Sequence, residues 1–185
     1  MIREVVVTTV DSAGRAHIAP LGLIEKGDGW IISPFRPSTT LDNLMSVPFA
    51  VANYTDDARV FAGLVTGRHD WPLVPATVAP APRLATALAH AELGVAHVED
   101  HPERPRLHCK VLHCEQHAPF EGFNRARNAV LECAILVSRL HLLPREKVDL
   151  EIAYLAIAIE KTAGPQELEA WSWLMQKRDA FYASN

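Results

Sequence analysis

Residues Ser33 to Leu44, reading SPFRPSTTLDNL, place a cation and several hydroxyls between an apolar strand-like run and a short helix. Arg36 offers a planar fork of donors matched to phosphate oxygens. Ser38, Thr39 and Thr40 offer hydroxyls where a helix begins and its unpaired N–H groups point outward, which is the chemistry of a phosphate cradle. A purely structural account fits the same residues. Ser38 or Thr39 would then be an N-cap, Asp42 would reach back to Thr39 as in a capping box, and Arg36 would be a solvated turn residue.

A second polar knot, Asn124-Arg125-Ala126-Arg127-Asn128, follows the turn at Glu121-Gly122-Phe123 and opens a helical run. Cations at a helix N-terminus oppose the macrodipole, so a bound anion or an acidic partner would account for Arg125 and Arg127. The alternative is a pair of surface charges matched with Glu121 or Glu132. His17 follows a turn on a strand and has either a ligand-binding or a structural role.

His108, Cys109, His113, Cys114 and His117 resemble a metal cluster in composition. Along one strand, however, Cys109 and His113 lie about 13 Å apart at roughly 3.3 Å per residue, too far for one ion. No metal site is expected. The chain contains no G-x-G-x-x-G, G-x-x-x-x-G-K-[ST] or G-x-S-x-G motif, so it carries no signature of a Rossmann site, a P-loop or a serine hydrolase.

These groups need elements to position them. Glu4 to Val10 is a β-branched run, and Asp11 to Arg15 is a turn returning into a strand from Ala16 to Ile24. A third strand spans Trp30 to Phe35. The cradle helix is cut short by Pro48, and a strand resumes from Phe49 to Tyr54. Val60 to Thr66 reads as one further strand. Pro72, Pro75, Pro80 and Pro82 make Trp71 to Pro82 an extended connector, and strands follow at Ala89 to Glu99 and Arg106 to Gln116. This rhythm predicts an antiparallel barrel.

From Asn124 the period becomes helical. Ala126, Val130, Cys133, Val137 and Leu140 mark the inner face of a first helix. Val148, Ile152, Leu155 and Ile159 mark a second, with Leu150, Tyr154 and Ile157 widening its apolar surface into a well-buried helix. Gly164 and Pro165 separate it from a third, whose stripe is Leu168, Trp171, Met175 and Tyr182. The domains read as a barrel over 1–120 and a helical subdomain over 121–185, packed on the barrel.

The 185 residues, 49% hydrophobic with a formal charge of −4, suffice for a folded core and carry no basic block that would mark nucleic-acid binding. No apolar run reaches the roughly 20 residues of a membrane span, and Met1-Ile2-Arg3-Glu4 leads into a strand instead of a signal peptide. Cys109, Cys114 and Cys133 have no framework spacing, as for reduced thiols. The expected location is cytoplasmic.

The hairpin Val7-Thr8-Thr9-Val10-Asp11 through Gly14-Arg15-Ala16-His17-Ile18-Ala19-Pro20-Leu21-Gly22, the cradle Arg36 to Leu44, Asn53-Tyr54-Thr55-Asp56-Asp57 and Gly122-Phe123-Asn124-Arg125-Ala126 together resemble the domain-of-unknown-function 447 family. That family has a flavin-reductase-like, FMN-binding split barrel. The resemblance spans nearly the whole chain and implies an α+β fold that is mainly β, a split β-barrel followed by a three-helix appendage. It implies FMN as cofactor and a homodimer with FMN at or near the subunit interface.

Arg36, Ser38, Thr39 and Thr40 would lie near the FMN phosphate, and His17 near the ring. Asn53 and Thr55 would face the polar edge of the isoalloxazine or the ribityl chain, and Asn124 and Arg125 would complete the site from either subunit. The implied function is an FMN-dependent oxidoreductase or flavin-reductase-like protein of unknown substrate, with no catalytic residue assigned. The competing readings are a non-catalytic flavin-binding or carrier protein, and a split barrel that uses a deazaflavin or another phosphorylated cofactor.

Overall fold

The computed structural model describes residues 1–184, which form two compact units. The first comprises Met1–Thr55 and Trp71–Phe120, and the second comprises Asp56–Asp70 with the residues from Glu121 onward.

The first unit is a closed barrel of six antiparallel strands. In chain order these are β1 (Ile2–Val10), β2 (Ala16–Lys26), β3 (Gly29–Ile32), β4 (Phe49–Tyr54), β7 (Ala89–Glu99) and β8 (Arg106–Gln116). Around the barrel they run β1, β2, β3, β8, β7, β4 and back to β1. The short pair β5 (Leu73–Val74) and β6 (Arg83–Leu84) lies within the segment between β4 and β7.

Closure depends on one tight contact. A Cβ on Gly29 would stand 2.2 Å from the carbonyl oxygen of Cys109, so only glycine lets β3 approach β8 this closely. Inside the barrel, Val5, Val7, Leu23, Ile32, Ala52, Ala91, Leu93 and Leu107 form one core. Helix α1 (Thr39–Ser46) belongs to it through Leu41 and Leu44 and so serves as a plug in the barrel.

The last six residues of β1 are all buried, not every second one, because its outer face is covered as well. Val10 and Val51 pack there against Ala79 and Ala81 of the proline-rich connector. Two polar side chains pin that connector down. Asn53 accepts the N–H of Leu84 at 2.7 Å, while its amide nitrogen donates to the carbonyl of Val6 and to Oγ1 of Thr8, both at 2.9 Å. Glu92 accepts the N–H groups of Thr77 at 2.7 Å, Val78 at 2.6 Å and Ala79. Burial alone would raise the Glu92 carboxyl, but these donors and His90 hold it down at about 2.

The second unit contains α2 (Ala58–Val65), α3 (Arg125–Ser138), a 3₁₀ turn at Leu140–Leu142, α4 (Arg145–Thr162) and α5 (Pro165–Ala183). The expected strand at Val60 to Thr66 is therefore helix. Asp57 caps it by accepting the N–H of Arg59 at 3.0 Å, and its Val60, Phe61, Ala62 and Leu64 are buried with the helical unit. An apolar run of eight residues is short enough to read as a buried strand or as a buried helix. The three C-terminal helices thus share their unit with a fourth that precedes them in sequence by some 60 residues.

On α3 the expected inner face of Ala126, Val130, Cys133 and Val137 is buried, as is Leu140 beyond it. On α4 only Val148, Ile152 and Ile159 are buried, while Leu150, Tyr154 and Ile157 are 73%, 76% and 47% exposed, so this helix is far less covered than its composition suggests. On α5 the buried face is Ala170 and Leu174 with Glu167, and the expected Leu168 is exposed. Among the described residues, no helix is long and apolar enough to cross a membrane.

Candidate cofactor site

Helix α1 begins where the chain leaves β3 through Ser33-Pro34-Phe35 and a cis Arg36–Pro37 peptide. Ser38 is the N-cap. Its extended backbone, φ −161° and ψ 146°, lets Oγ accept the N–H of Leu41 at 3.3 Å. The Ser38 hydroxyl is thus the helix cap, and the rest of the first turn presents its N–H groups at the start of the helix.

Thr39 is exposed there, whereas Thr40 is 3% exposed and sits on the buried side with Leu41, Asn43 and Leu44. α1 turns by about 100° per residue, so Thr39 and Thr40 present their side chains to different surroundings. Arg36 stands before the cap, and its guanidinium pairs with Asp100 at 3.0 Å in a contact exposed on both sides. Its N–H donates to the carbonyl of Glu103 at 2.8 Å, and Arg104 donates to the carbonyl of Ser33 at 2.9 Å, so the cradle loop is fastened to the β7–β8 loop.

The hold of α1 on the barrel is polar as well as apolar. Buried Asn43 donates to Oγ1 of buried Thr9 at 3.0 Å. Thr9 stands opposite His17 in the β1–β2 ladder, and residues directly opposite share a face of the sheet. His17 also shares its face of β2 with Leu21 and Leu23, which line the core. The structure therefore brings His17 to the face on which α1 is anchored, with Arg36 and Thr39 at the entrance to that helix. Asn43 and Thr9 create this relationship, and the sequence reading gave neither a role.

Three other expected site residues are placed differently. Asn53 is fully buried on the outer face of β4 with its amide engaged in binding the connector, so its polar atoms are taken up by the protein itself. Thr55 lies beyond the end of β4, half-buried, and the two-residue step from Asn53 carries no common strand face. Asn124 caps α3, accepting the N–H groups of Ala126 at 2.8 Å and Arg127 at 3.1 Å and donating to the carbonyl of Thr162 at 3.1 Å. Its amide is consumed within the helical unit.

Arg125 is exposed, whereas Arg127 meets Asp56 and, at 3.1 Å, Glu167. The acidic partner demanded by cations at this helix start is thus supplied by the chain itself. Burial would raise the Glu167 carboxyl, but Arg127 and the N–H of Gly164 keep it below its usual range. The three cysteines are unpaired, and burial pushes the thiols of Cys109 and Cys133 up to about 12.

Among solved structures, the FMN-bound protein MM1853 from Methanosarcina mazei aligns with a TM-score of 0.81 at 20% identity, over 95% of this chain and 94% of its own. The 2-nitrobenzoate 2-nitroreductase NbaA from Pseudomonas fluorescens aligns at 0.56 and 19% identity, over 62% of this chain and 65% of its own. A split-barrel-domain protein from Shewanella frigidimarina aligns at 0.56 and 10% identity, over 67% of this chain and 74% of its own. At such identities the likeness is one of fold, and the latter two leave about a third of this chain unmatched. No curated protein matches the chain in sequence. Family models for the N-terminal domain of the protein of unknown function DUF447, over residues 3–118, and for DUF447, over residues 124–176, both match, and the chain belongs to that family.

Proposed function

We propose that this protein binds FMN, with the phosphate at the start of α1 and the ring toward His17, and that it works as a flavin-dependent oxidoreductase. The observation that carries the proposal is the placement of a half-exposed guanidinium, Arg36, before the N-terminus of a helix anchored to the strand pair that holds His17. The fold-wide likeness to an FMN-bound protein supports the same reading.

The donor set suits a phosphate. Arg36 and the N–H groups of the first turn are directional donors, and the helix dipole adds partial positive charge. The Asp100 carboxylate that now holds Arg36 is exposed, and such ion pairs are worth little, so a phosphate dianion can take its place at small cost. Thr39 adds an exposed hydroxyl, and Ser38 keeps the helix start in shape. FMN supplies hydride or electron transfer when bound, and the protein supplies orientation and electrostatics. His17 is the side chain in this set able to donate or accept a proton near the ring.

A homodimer belongs to the same proposal. The exposed stripe Leu150, Tyr154 and Ile157 on α4 leaves apolar surface that a second copy would cover. The unpaired cysteines support a cytoplasmic location.

Calorimetric titration with FMN and with riboflavin tests the phosphate role. FMN should bind much more tightly. Equal affinities would remove the reason for assigning Arg36 and its neighbours to a phosphate. Mixing the FMN-loaded protein with a reduced nicotinamide then separates turnover from simple carriage: bleaching of the flavin supports the oxidoreductase, and an unchanged spectrum supports a carrier.

A further inference from the structure

On the outer face of the β7–β8 ladder, away from α1, the strand register stacks His90 opposite Glu115 and Glu92 opposite His113. A ring nitrogen of His90, one of His113 and a carboxylate oxygen of Glu115 all lie within 4.8 Å of one another. Ligands about 2.1 Å from a common ion stand roughly 3 to 4 Å apart, and Nε2 of His113 and Oε2 of Glu115, at 3.8 Å, already have that spacing.

Two further observations point to a ligand. Nε2 of His113 is buried yet has no hydrogen-bond partner, and Oε2 of Glu115 is 3.8 Å from it, too far for a hydrogen bond and suitable for two ligands of one ion. His90, 1% exposed, has its Nε2 3.2 Å from Oε1 of Glu92. Three backbone N–H groups already donate to the Glu92 carboxylate, so it acts toward His90 as an acceptor and places the ring proton on Nε2. Nδ1 then carries the lone pair. A carboxylate on the far nitrogen of a metal-binding histidine is the usual outer-sphere arrangement. Nε2 of His117 lies 2.9 Å from Nδ1 of His90, a hydrogen bond that an ion on Nδ1 would replace.

We propose that His90, His113 and Glu115 form a site for a divalent transition-metal ion of the zinc class, with Glu92 orienting His90. Two imidazoles and a carboxylate suit zinc, cobalt or iron and disfavour magnesium or calcium.

The test uses the full-length chain, treated with a chelator and titrated with cobalt(II) chloride while ligand-field absorption is followed, then with zinc chloride in competition. One equivalent should bind. His113→Ala and Glu115→Ala, at partly exposed positions, should each weaken binding by at least about tenfold. His108→Ala, on the same strand but beside Glu99, should leave it unchanged. Circular dichroism of each variant confirms folding without reference to the flavin. No saturable binding at micromolar cobalt, unaltered affinity in His113→Ala, or an equal loss in His108→Ala would overturn the proposal.

Discussion

Glu92 accepts the backbone N–H of Val78 at 2.6 Å, which ties the middle of a proline-rich connector to the outer face of β7. With the N–H groups of Thr77 and Ala79 beside it, one carboxylate satisfies three donors in a segment whose prolines limit the hydrogen bonds it can make for itself. The carboxyl is held at about 2 against an unperturbed 4.5. The depressed value means that the folded state prefers the ionised form. Its contribution is complete above the unfolded value and is lost as pH falls through the folded one.

The first prediction follows from that sign. Glu92→Gln should be less stable than the parent by about 3 kcal/mol near neutral pH, and the gap should close on acidification from about 4.5 toward 2. Urea denaturation of both proteins across that range measures the gap directly. A gap independent of pH would mean that the carboxylate charge is not what holds the connector.

Asn53 gives the second prediction. Asn53→Leu keeps the side-chain volume but leaves the N–H of Leu84 and the Thr8 hydroxyl without their buried partner, at a cost of about 1 to 3 kcal/mol each. Denaturation should register the loss. The ratio of FMN to riboflavin affinity should stay as in the parent, because Asn53 lies outside the proposed cofactor site. A selective loss of FMN binding would return Asn53 to the ligand.

These two residues show where the sequence was legible. The hairpin of β1 and β2, the strands β4, β7 and β8 and the inner face of α3 followed from alternation, turn residues and helical spacing, which are local signals. The role of Asn53 was not local: its partners Val6, Thr8 and Leu84 lie 47, 45 and 31 residues away. Helix α2 was misread because its eight mostly apolar residues have the length and composition of a buried strand as well.

The cluster around His90 was not legible in the sequence for a related reason. Distances along β8 separate Cys109 from His113, but the register that brings His90 to Glu115 is set across strands and is visible only once the barrel closes. In the cradle, residue types gave the chemistry, while the division of labour between Ser38 as cap and Thr40 as core depended on the helix phase.

The third prediction concerns assembly. Sedimentation should show a single dimeric species, and Tyr154→Glu, in the exposed stripe of α4, should shift it toward monomer without unfolding the chain. A monomer that holds FMN stoichiometrically at micromolar concentration would remove the second subunit from the site.

The last prediction turns on Arg36. Arg36→Met retains much of the apolar stem and deletes the guanidinium, so its effect reports chiefly on charge and hydrogen bonding. Folding should survive, because the side chain is half exposed and its one ion pair is on the surface. Loss of a charge-assisted phosphate contact should cost about 1.5 to 3 kcal/mol, or roughly tenfold to hundredfold in FMN affinity, with riboflavin affinity hardly changed. Asp100→Asn provides the opposite arm: it frees the guanidinium from its competitor and should leave FMN binding as tight as in the parent or tighter, most visibly at low salt where exposed charges are least screened. Damage to the barrel would weaken both flavins together, whereas loss of the contact penalises FMN alone. Unchanged FMN affinity in Arg36→Met, or parallel losses for both flavins, would return Arg36 to the role of a surface residue that merely fastens the loop through Asp100.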